Sequence, residues 1–254
     1  MSDEVRQYFD CQEYSNVDMP THLHRNLEII HVVSGEMVIT VNNCDEVIDA
    51  GKYALIFPNT LHSCHTTTNS QIYMCAFSSD LGPPFVRKTS SKIPERAVFE
   101  CRDSVNEFVL KEFFVLNSKP DWYTLKASLY AILGEYRSQV NLITLDENNS
   151  DVLQKYFMYI EEHFKENISF ADVAKHLKYE RHYLSQYINK RSSLSFSKIV
   201  NQYRVETATE LLRNTDLSIS DIAFESGFQS IRTFNRVYFE LTGRTPKQVS
   251  DGKR

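Results

Sequence analysis

Up to about residue 80 the apolar positions come in short β-branched stretches broken by turn residues. Glu36, Met37, Val38, Ile39, Thr40 and Val41 form one stretch, ending at Asn42 and Asn43, a pair suited to a two-residue hairpin turn. Val47 to Gly51, Tyr53 to Pro58 and Gln71 to Phe77 continue the pattern. Several short strands in succession predict a barrel or sandwich. From about residue 104 the period becomes helical. Val105, Phe108, Val109 and Leu116 fit one helix face. After Pro120, the residues Leu125, Leu129, Ile132, Leu133 and Tyr136 fit another. A polar run at 145–150 reads as linker, and every apolar pattern after it is helical.

The helical remainder contains an internal repeat. Residues 168–174 and 217–223 match at an offset of 49, each placing a serine (Ser169, Ser218) where it can cap a helix. Asp172 and Asp221 follow three positions later, as in a capping box. Ala174 and Ala223 are small, as a close helix crossing requires. The next helices align at an offset of 50, with Leu184, Tyr187 and Ile188 matching Phe234, Val237 and Tyr238. Each copy is therefore a short helix, a tight turn and a second helix, the helix-turn-helix pattern. Gly227 can supply a positive φ in the second turn. Ile199, Tyr203, Ala208, Leu211 and Leu212 fit one long connecting helix. Two copies are too few for a solenoid.

Composition, 42% apolar and 24% charged, is that of a globular domain rather than a disordered chain. No apolar run reaches the roughly 18 residues of a spanning helix, and the acidic start is unlike a secretory signal. The expectation is a cytoplasmic protein with no membrane partner. The net charge of −5 divides unevenly: residues 1–150 carry −8 and residues 151–254 carry +3. This suggests two domains, the second anion-seeking. Cys11, Cys44, Cys64, Cys75 and Cys101 form no C-x-x-C pair and are expected as free or buried thiols.

Three groups of residues carry a family resemblance: Asp221, Ile222, Ala223, Gly227 and Phe228; Thr233, Phe234, Asn235, Arg236, Val237 and Phe239; and Gly243, Thr245 and Pro246. With Tyr203 to Ala208 upstream, they resemble the signature of the AraC/XylS transcription regulators. The resemblance covers about 151–250. It implies an all-α DNA-binding domain at 151–254, with helix-turn-helix units at about 169–190 and 218–240 entering successive major grooves of double-stranded DNA. The first unit departs from the pattern: its turn, Leu177 to Glu180, has no glycine. A recognition helix offers its N-terminal outward residues to base edges. In the first unit these are Arg181, His182, Ser185 and Gln186; in the second, Gln229, Ser230, Ile231, Arg232, Thr233 and Arg236.

In the N-terminal part, His22, His24 and Glu28 share parity and would face one side of a continuous strand. With Gly35 they resemble the first cupin motif, and Gly51, Pro58 and His62 resemble the second. The implied fold is multidomain α+β. A cupin-like barrel or jelly roll at 1–100 is trailed by a helical dimerisation segment at 101–142 and a linker at 143–150. His22, His24, Glu28 and His62 are the candidate effector-binding set. The same four are a candidate set for a divalent metal, and ordinary barrel histidines are a third reading. No cofactor and no catalytic residue is expected. His31 belongs to the strand's other face. Leu125, Leu129, Ile132 and Leu133 pack on the barrel or, by the resemblance, join a homodimer, and the two roles are compatible. The functional expectation is a sequence-specific regulator controlled by a small-molecule effector, with RNA polymerase as partner if it activates. The alternatives are a metal-dependent cupin enzyme with an appended DNA-binding domain and a non-sensing dimeric DNA binder.

Overall fold

The computed structural model describes residues 8–89, 92–114, 121–144, 152–192 and 194–251. They form two compact units whose main division falls between residues 144 and 152.

The first unit is a barrel of two antiparallel sheets with two helices on one side. Its strands are β1 (Phe9–Ser15), β2 (Asp18–His22), β3 (Leu27–Ser34), β4 (Glu36–Val41), β5 (Cys44–Asp49), β6 (Tyr53–Ile56), β7 (His62–Thr66) and β8 (Gln71–Phe77). A short helix α1 (Pro83–Thr89) and strands β9 (Lys92–Pro94) and β10 (Val98–Phe99) follow. Then come α2 (Asp103–Glu112), α3 (Trp122–Gln139) and β11 (Leu142–Thr144). One sheet has the order β1-β8-β3-β6-β10, the other β2-β7-β4-β5. Asn42 and Asn43 turn β4 into β5 with φ of 50° and 67°, the left-handed pair that a type I′ turn needs. β3 is buried along nearly its whole length because both its faces are covered. Ile30 and Val32 point into the barrel with Met37, Ile39, Ile72 and Met74. Leu27 and Ile29 point the other way, into a core shared with α2 and α3.

That second core corrects the expected dimer contacts. Leu125, Leu129, Ile132 and Leu133 are at most 6% exposed and pack with Phe77, Phe85 and Phe99. Each such side chain contributes about 1.5–3 kcal/mol by leaving water, so this face of α3 belongs to the barrel and is not open to a second subunit. Phe108, placed on one helix face with Val105 and Val109, is 37% exposed, whereas Val109 is buried. Leu116 and most of the expected linker, 145–150, lie outside the described residues, and Ile143 and Thr144 are in β11 rather than in linker. A further correction concerns the thiols. β1 and β8 pair in a register that sets Cys11 opposite Cys75, and the two form a disulfide. Cys44, Cys64 and Cys101 are free.

The second unit comprises α4 (Val152–His163), α5 (Phe170–His176), α6 (Arg181–Arg191), α7 (Phe196–Asn214), α8 (Ile219–Glu225), α9 (Ile231–Thr242) and α10 (Pro246–Asp251). Ser169 and Asp172 form a full capping box on α5. On α8, Ser218 accepts from the Asp221 amide at 3.1 Å. The expected first turn without glycine is built by Lys178 at φ 59°, the position matching Gly227 at φ 89°. Around Gly227 the chain is tight: a Cβ there would lie 2.6 Å from Lys165 Cα. Arg204 of α7 fastens the same corner, donating to the carbonyls of Phe164 at 2.8 Å and Glu166 at 2.9 Å. Its guanidinium also lies 5.8 Å from the centroid of Phe228. The long helix α7 thus locks the end of α4 to the turn of the second helix-turn-helix.

Candidate nucleic-acid interface and barrel cluster

Both recognition helices start with a side-chain cap, which leaves their first turns rigid. On α6, Glu180 accepts from the amides of His182 at 2.7 Å and Tyr183 at 3.0 Å. On α9, Ser230 accepts from the Thr233 amide at 3.2 Å and donates its hydroxyl to Thr233 Oγ1 at 2.9 Å. Leu184 and Ile188 hold α6 down, and Phe234, Val237 and Tyr238 hold α9 down. The opposite faces are turned to solvent. Arg181, His182 and Gln186 are exposed on α6, with Ser185 half-buried. His182 and Gln186 bond each other at 3.0 Å. Gln229, Ser230, Ile231, Arg232, Thr233 and Arg236 are all exposed at the second unit. Arg236 donates to both carboxylate oxygens of Glu240 at 2.8 Å.

Two residues at this surface escaped the sequence reading. Tyr183 holds the place that Thr233 holds one repeat later, is 54% exposed, and stacks on Tyr179 with centroids 5.7 Å apart. Glu180 stands where Ser230 stands. The 50-residue offset contained the signal for both, since it pairs 183 with 233 and 180 with 230.

In the barrel, the continuous strand expected through His22, His24 and Glu28 does not form. β2 ends at His22, β3 begins at Leu27, and His24 lies in the connection. The residues nevertheless converge. His22 ends β2 and His62 begins β7, neighbours in one sheet. One ring nitrogen each from His22, His24 and His62 lies within 4.8 Å of the others. Glu28 Oε2 is 3.3 Å from His62 Nε2. His62 Nδ1 is 2.9 Å from the Thr60 carbonyl, so it donates there and Nε2 is the atom turned to the cluster. Three imidazoles and a carboxylate are a donor set that suits Zn, Fe or Ni, and equally the polar end of an organic ligand. Cys64 lies nearby in β7 but burial pushes its thiol up to about 12, which disfavours the thiolate a metal would want. His31 points to the helical side, stacked on Tyr53 at 4.1 Å, with Nδ1 3.2 Å from the Lys52 carbonyl.

Comparison with known proteins gives the same two parts. Residues 173–251 match a family model described as a helix-turn-helix domain, and residues 15–77 match one described as a cupin domain. The HTH-type transcriptional activator RhaS of Enterobacter sp. (strain 638) is 22% identical over 245 residues, covering 92% of this chain and 88% of that protein. An uncharacterized HTH-type transcriptional regulator of Staphylococcus aureus (strain MSSA476), SAS0078, is 33% identical over 100 residues. Those residues are 39% of this chain and 13% of that much longer protein. Among solved structures, ToxT from Vibrio cholerae aligns over 96% of this chain and 98% of its own, with a TM-score of 0.59 and 15% identity. ToxT with an unsaturated fatty acid bound aligns over 98% and 96%, with a TM-score of 0.61 and 16% identity. At that identity the likeness shows a shared fold: a β-rich cupin region followed by a helical helix-turn-helix region.

Proposed function

We propose that this chain is a transcription regulator of the AraC/XylS type that reads specific DNA sequences under the control of a small organic effector. The observation that carries the reading is the repeat itself. Two capped helices, α6 and α9, present polar and basic first turns to solvent at an offset of 50 residues. The 19-residue α7 between them is roughly 28 Å long at 1.5 Å per residue. That length is comparable to one turn of B-DNA, about 34 Å, and so suits two successive major grooves.

The proposed contacts are Arg181, His182, Ser185 and Gln186 from α6, and Gln229, Ser230, Ile231, Arg232, Thr233 and Arg236 at α9. Arg236 is the proposed base reader, since arginine bonds guanine bidentately. Arg236→Ala should weaken binding to a duplex selected from a random pool by about 1–3 kcal/mol. An unchanged affinity in a fluorescence titration would remove Arg236 from the interface.

For the sensor, we place the effector's polar end at His22, His24, Glu28 and His62. The relatives named as regulators favour sensing over catalysis, and the ToxT structure with a fatty acid shows that this fold can hold an organic acid. The donor set keeps one rival reading in play, a metal-dependent enzyme. Metal analysis of the purified protein and thermal shifts with a metabolite panel separate the two. Stoichiometric metal with turnover supports the enzyme; a metabolite that shifts both melting and DNA affinity supports the sensor. A protein that binds DNA in the reducing interior of the cell would act in the cytoplasm, and as an activator it would also meet RNA polymerase.

We further propose a homodimer through the outward side of α3 rather than its leucine face. Tyr123 and Tyr130 are exposed there, 84% and 42%. Gly134 lies between them and the end of the helix, and a Cβ on it would meet nothing within 4 Å. A mid-helix glycine costs roughly 1 kcal/mol against alanine, so nothing among the described residues accounts for it, whereas a closely packed second copy would. With Val105, Tyr130 and Ala131 it lines a groove of about 700 Å³. Gly134→Trp should shift the protein from dimer to monomer in sedimentation equilibrium; an unchanged mass distribution would discard this face.

A further inference from the structure

We propose that Cys11 and Cys75 are a reversible dithiol–disulfide pair, a redox modification site whose co-reactant is a small cellular disulfide of the glutathione class. The sheet itself brings the two together. Facing residues on adjacent antiparallel strands have Cβ atoms about 4.5–5.5 Å apart whatever their identity, and the β1–β8 register makes Cys11 and Cys75 such a facing pair. The ladder of seven register pairs that sets this position extends from Phe9↔Phe77 to Ser15↔Gln71, well beyond the cysteines on both sides. The thiols therefore stay neighbours when reduced, and closing the bond asks for no new fold.

The two sulfurs differ in access. Cys75 is fully buried between β1 and β3, while Cys11 is half-buried on β1, the outermost strand of its sheet. Exchange must therefore begin and end at Cys11. The Cys11 thiolate attacks one sulfur of glutathione disulfide, forming a mixed disulfide and releasing one glutathione thiolate. Cys75 then attacks the Cys11 sulfur, expelling the second glutathione as a thiolate that takes up the Cys75 proton. Two protein thiols and one glutathione disulfide become one protein disulfide and two glutathione thiols, and the two electrons pass to glutathione. The reverse begins with attack of a glutathione thiolate on Cys11.

This inference rests on the regulator reading in one respect. DNA-binding proteins work in a thiol-rich compartment, where protein disulfides are mostly transient and redox-sensing rather than structural. The location gives oxidation something to hold. Phe9, two residues before Cys11, lies 5.3 Å from Phe113 at the end of α2. Cys11 itself packs on the core shared with α2 and α3. A bond to Cys75 fixes the edge strand, and with it that contact.

The test uses the full-length protein in glutathione buffers of graded thiol-to-disulfide ratio, quenched in acid, alkylated in denaturant and weighed intact. With thiol in large excess all five cysteines should take label. As the ratio falls, a single two-electron transition should leave three labelled, and peptide mapping should give a Cys11–Cys75 crosslink. Cys11→Ser should label at four sites under reducing conditions and show no loss of two at any ratio. Five labels throughout, three labels throughout, or a transition that survives Cys11→Ser would each overturn the proposal. No DNA enters the measurement, so its failure and a failure of the regulator reading are separately visible. A tenfold slower amide exchange in β1 of the oxidised form is the expected structural consequence; equal exchange in the two forms would refute the fixing of the edge strand.

Discussion

Gly227→Ala tests the packing that fixes the second helix-turn-helix. Two costs arise at this position. The residue sits at φ 89°, in left-handed space that costs an L-residue about 1–2 kcal/mol. The new methyl would also lie 2.6 Å from Lys165 Cα and 2.9 Å from its carbonyl oxygen. Both are backbone atoms, held in place by the Arg204 bonds on either side, so the clash can be relieved only by moving α4 away from the turn. Overpacking of this kind costs a further 1–3 kcal/mol or so, for a total of roughly 2–5 kcal/mol. Gly243→Ala is the control: its φ is 68° and a Cβ there meets nothing within 4 Å, so only the conformational cost of about 1 kcal/mol remains. Lys178→Gly should act in the opposite sense, relieving up to about 1 kcal/mol at the matching turn. Urea unfolding of the full chain, followed by far-ultraviolet circular dichroism, is the suitable assay. Fluorescence is not, because the single tryptophan, Trp122, lies in the first unit. If Gly227→Ala and Gly243→Ala agree within about 0.5 kcal/mol, the tight approach to Lys165 does not bear on stability and the argument fails.

Arg204→Met keeps the aliphatic stem but loses the donors to Phe164 and Glu166. A charged hydrogen bond contributes about 1.5–3 kcal/mol, so the helical transition should weaken by at least roughly 2 kcal/mol, and an unchanged urea midpoint would contradict the role given to this side chain. His31 predicts an acid sensitivity in the barrel. Desolvation lowers its folded pKa to about 4, below the unfolded value of 6.5. The unfolded chain thus binds the extra proton between those values. Its contribution is complete above pH 6.5 and is lost as pH falls through the window, about 2 kcal/mol of it by pH 5. His31→Phe should flatten that slope in paired unfolding curves at pH 7 and pH 5, and an identical slope in the variant would assign the acid response elsewhere.

How much of this was visible in the sequence depends on the range over which each feature is determined. The Asn42-Asn43 turn and the Ser169 and Ser218 caps were legible because each is decided within a few residues by backbone preference. The repeat was legible because both copies must bury the same face. The strand expected through His22, His24 and Glu28 failed because parity says nothing about continuity, and the break between β2 and β3 contains neither glycine nor proline. Helical spacing marked Leu125, Leu129, Ile132 and Leu133 as one buried face, but a period cannot say what covers it. The Cys11–Cys75 pair was invisible for a related reason: it follows from the register of strands 64 residues apart. The missing glycine in the turn from Leu177 to Glu180 was legible, but which residue takes the φ that Gly227 takes freely was not; it is Lys178.

The differences between the two helix-turn-helix units also bear on where specificity resides. A net charge of +3 over residues 151–254 gives little bulk attraction to DNA, so placed contacts must carry the discrimination. At α9 the cap is a neutral serine, and two arginines four residues apart stand beyond it. Arg236 is held by Glu240 in the free protein, but an exposed pair of this spacing contributes only about 0.3–0.5 kcal/mol. A good bidentate base contact is worth about 1–3 kcal/mol, so on the proposed contact a guanine would outcompete the carboxylate. At α6 the cap is a carboxylate, Glu180, which a phosphate would repel were its charge not engaged by two helix amides. His182 and Gln186 already bond each other there, so part of their capacity must be exchanged on binding. On the proposed contacts the energetic gain per contact would therefore be larger at α9. On those contacts the second unit would choose the sequence, while the first, one length of α7 away, would set the register.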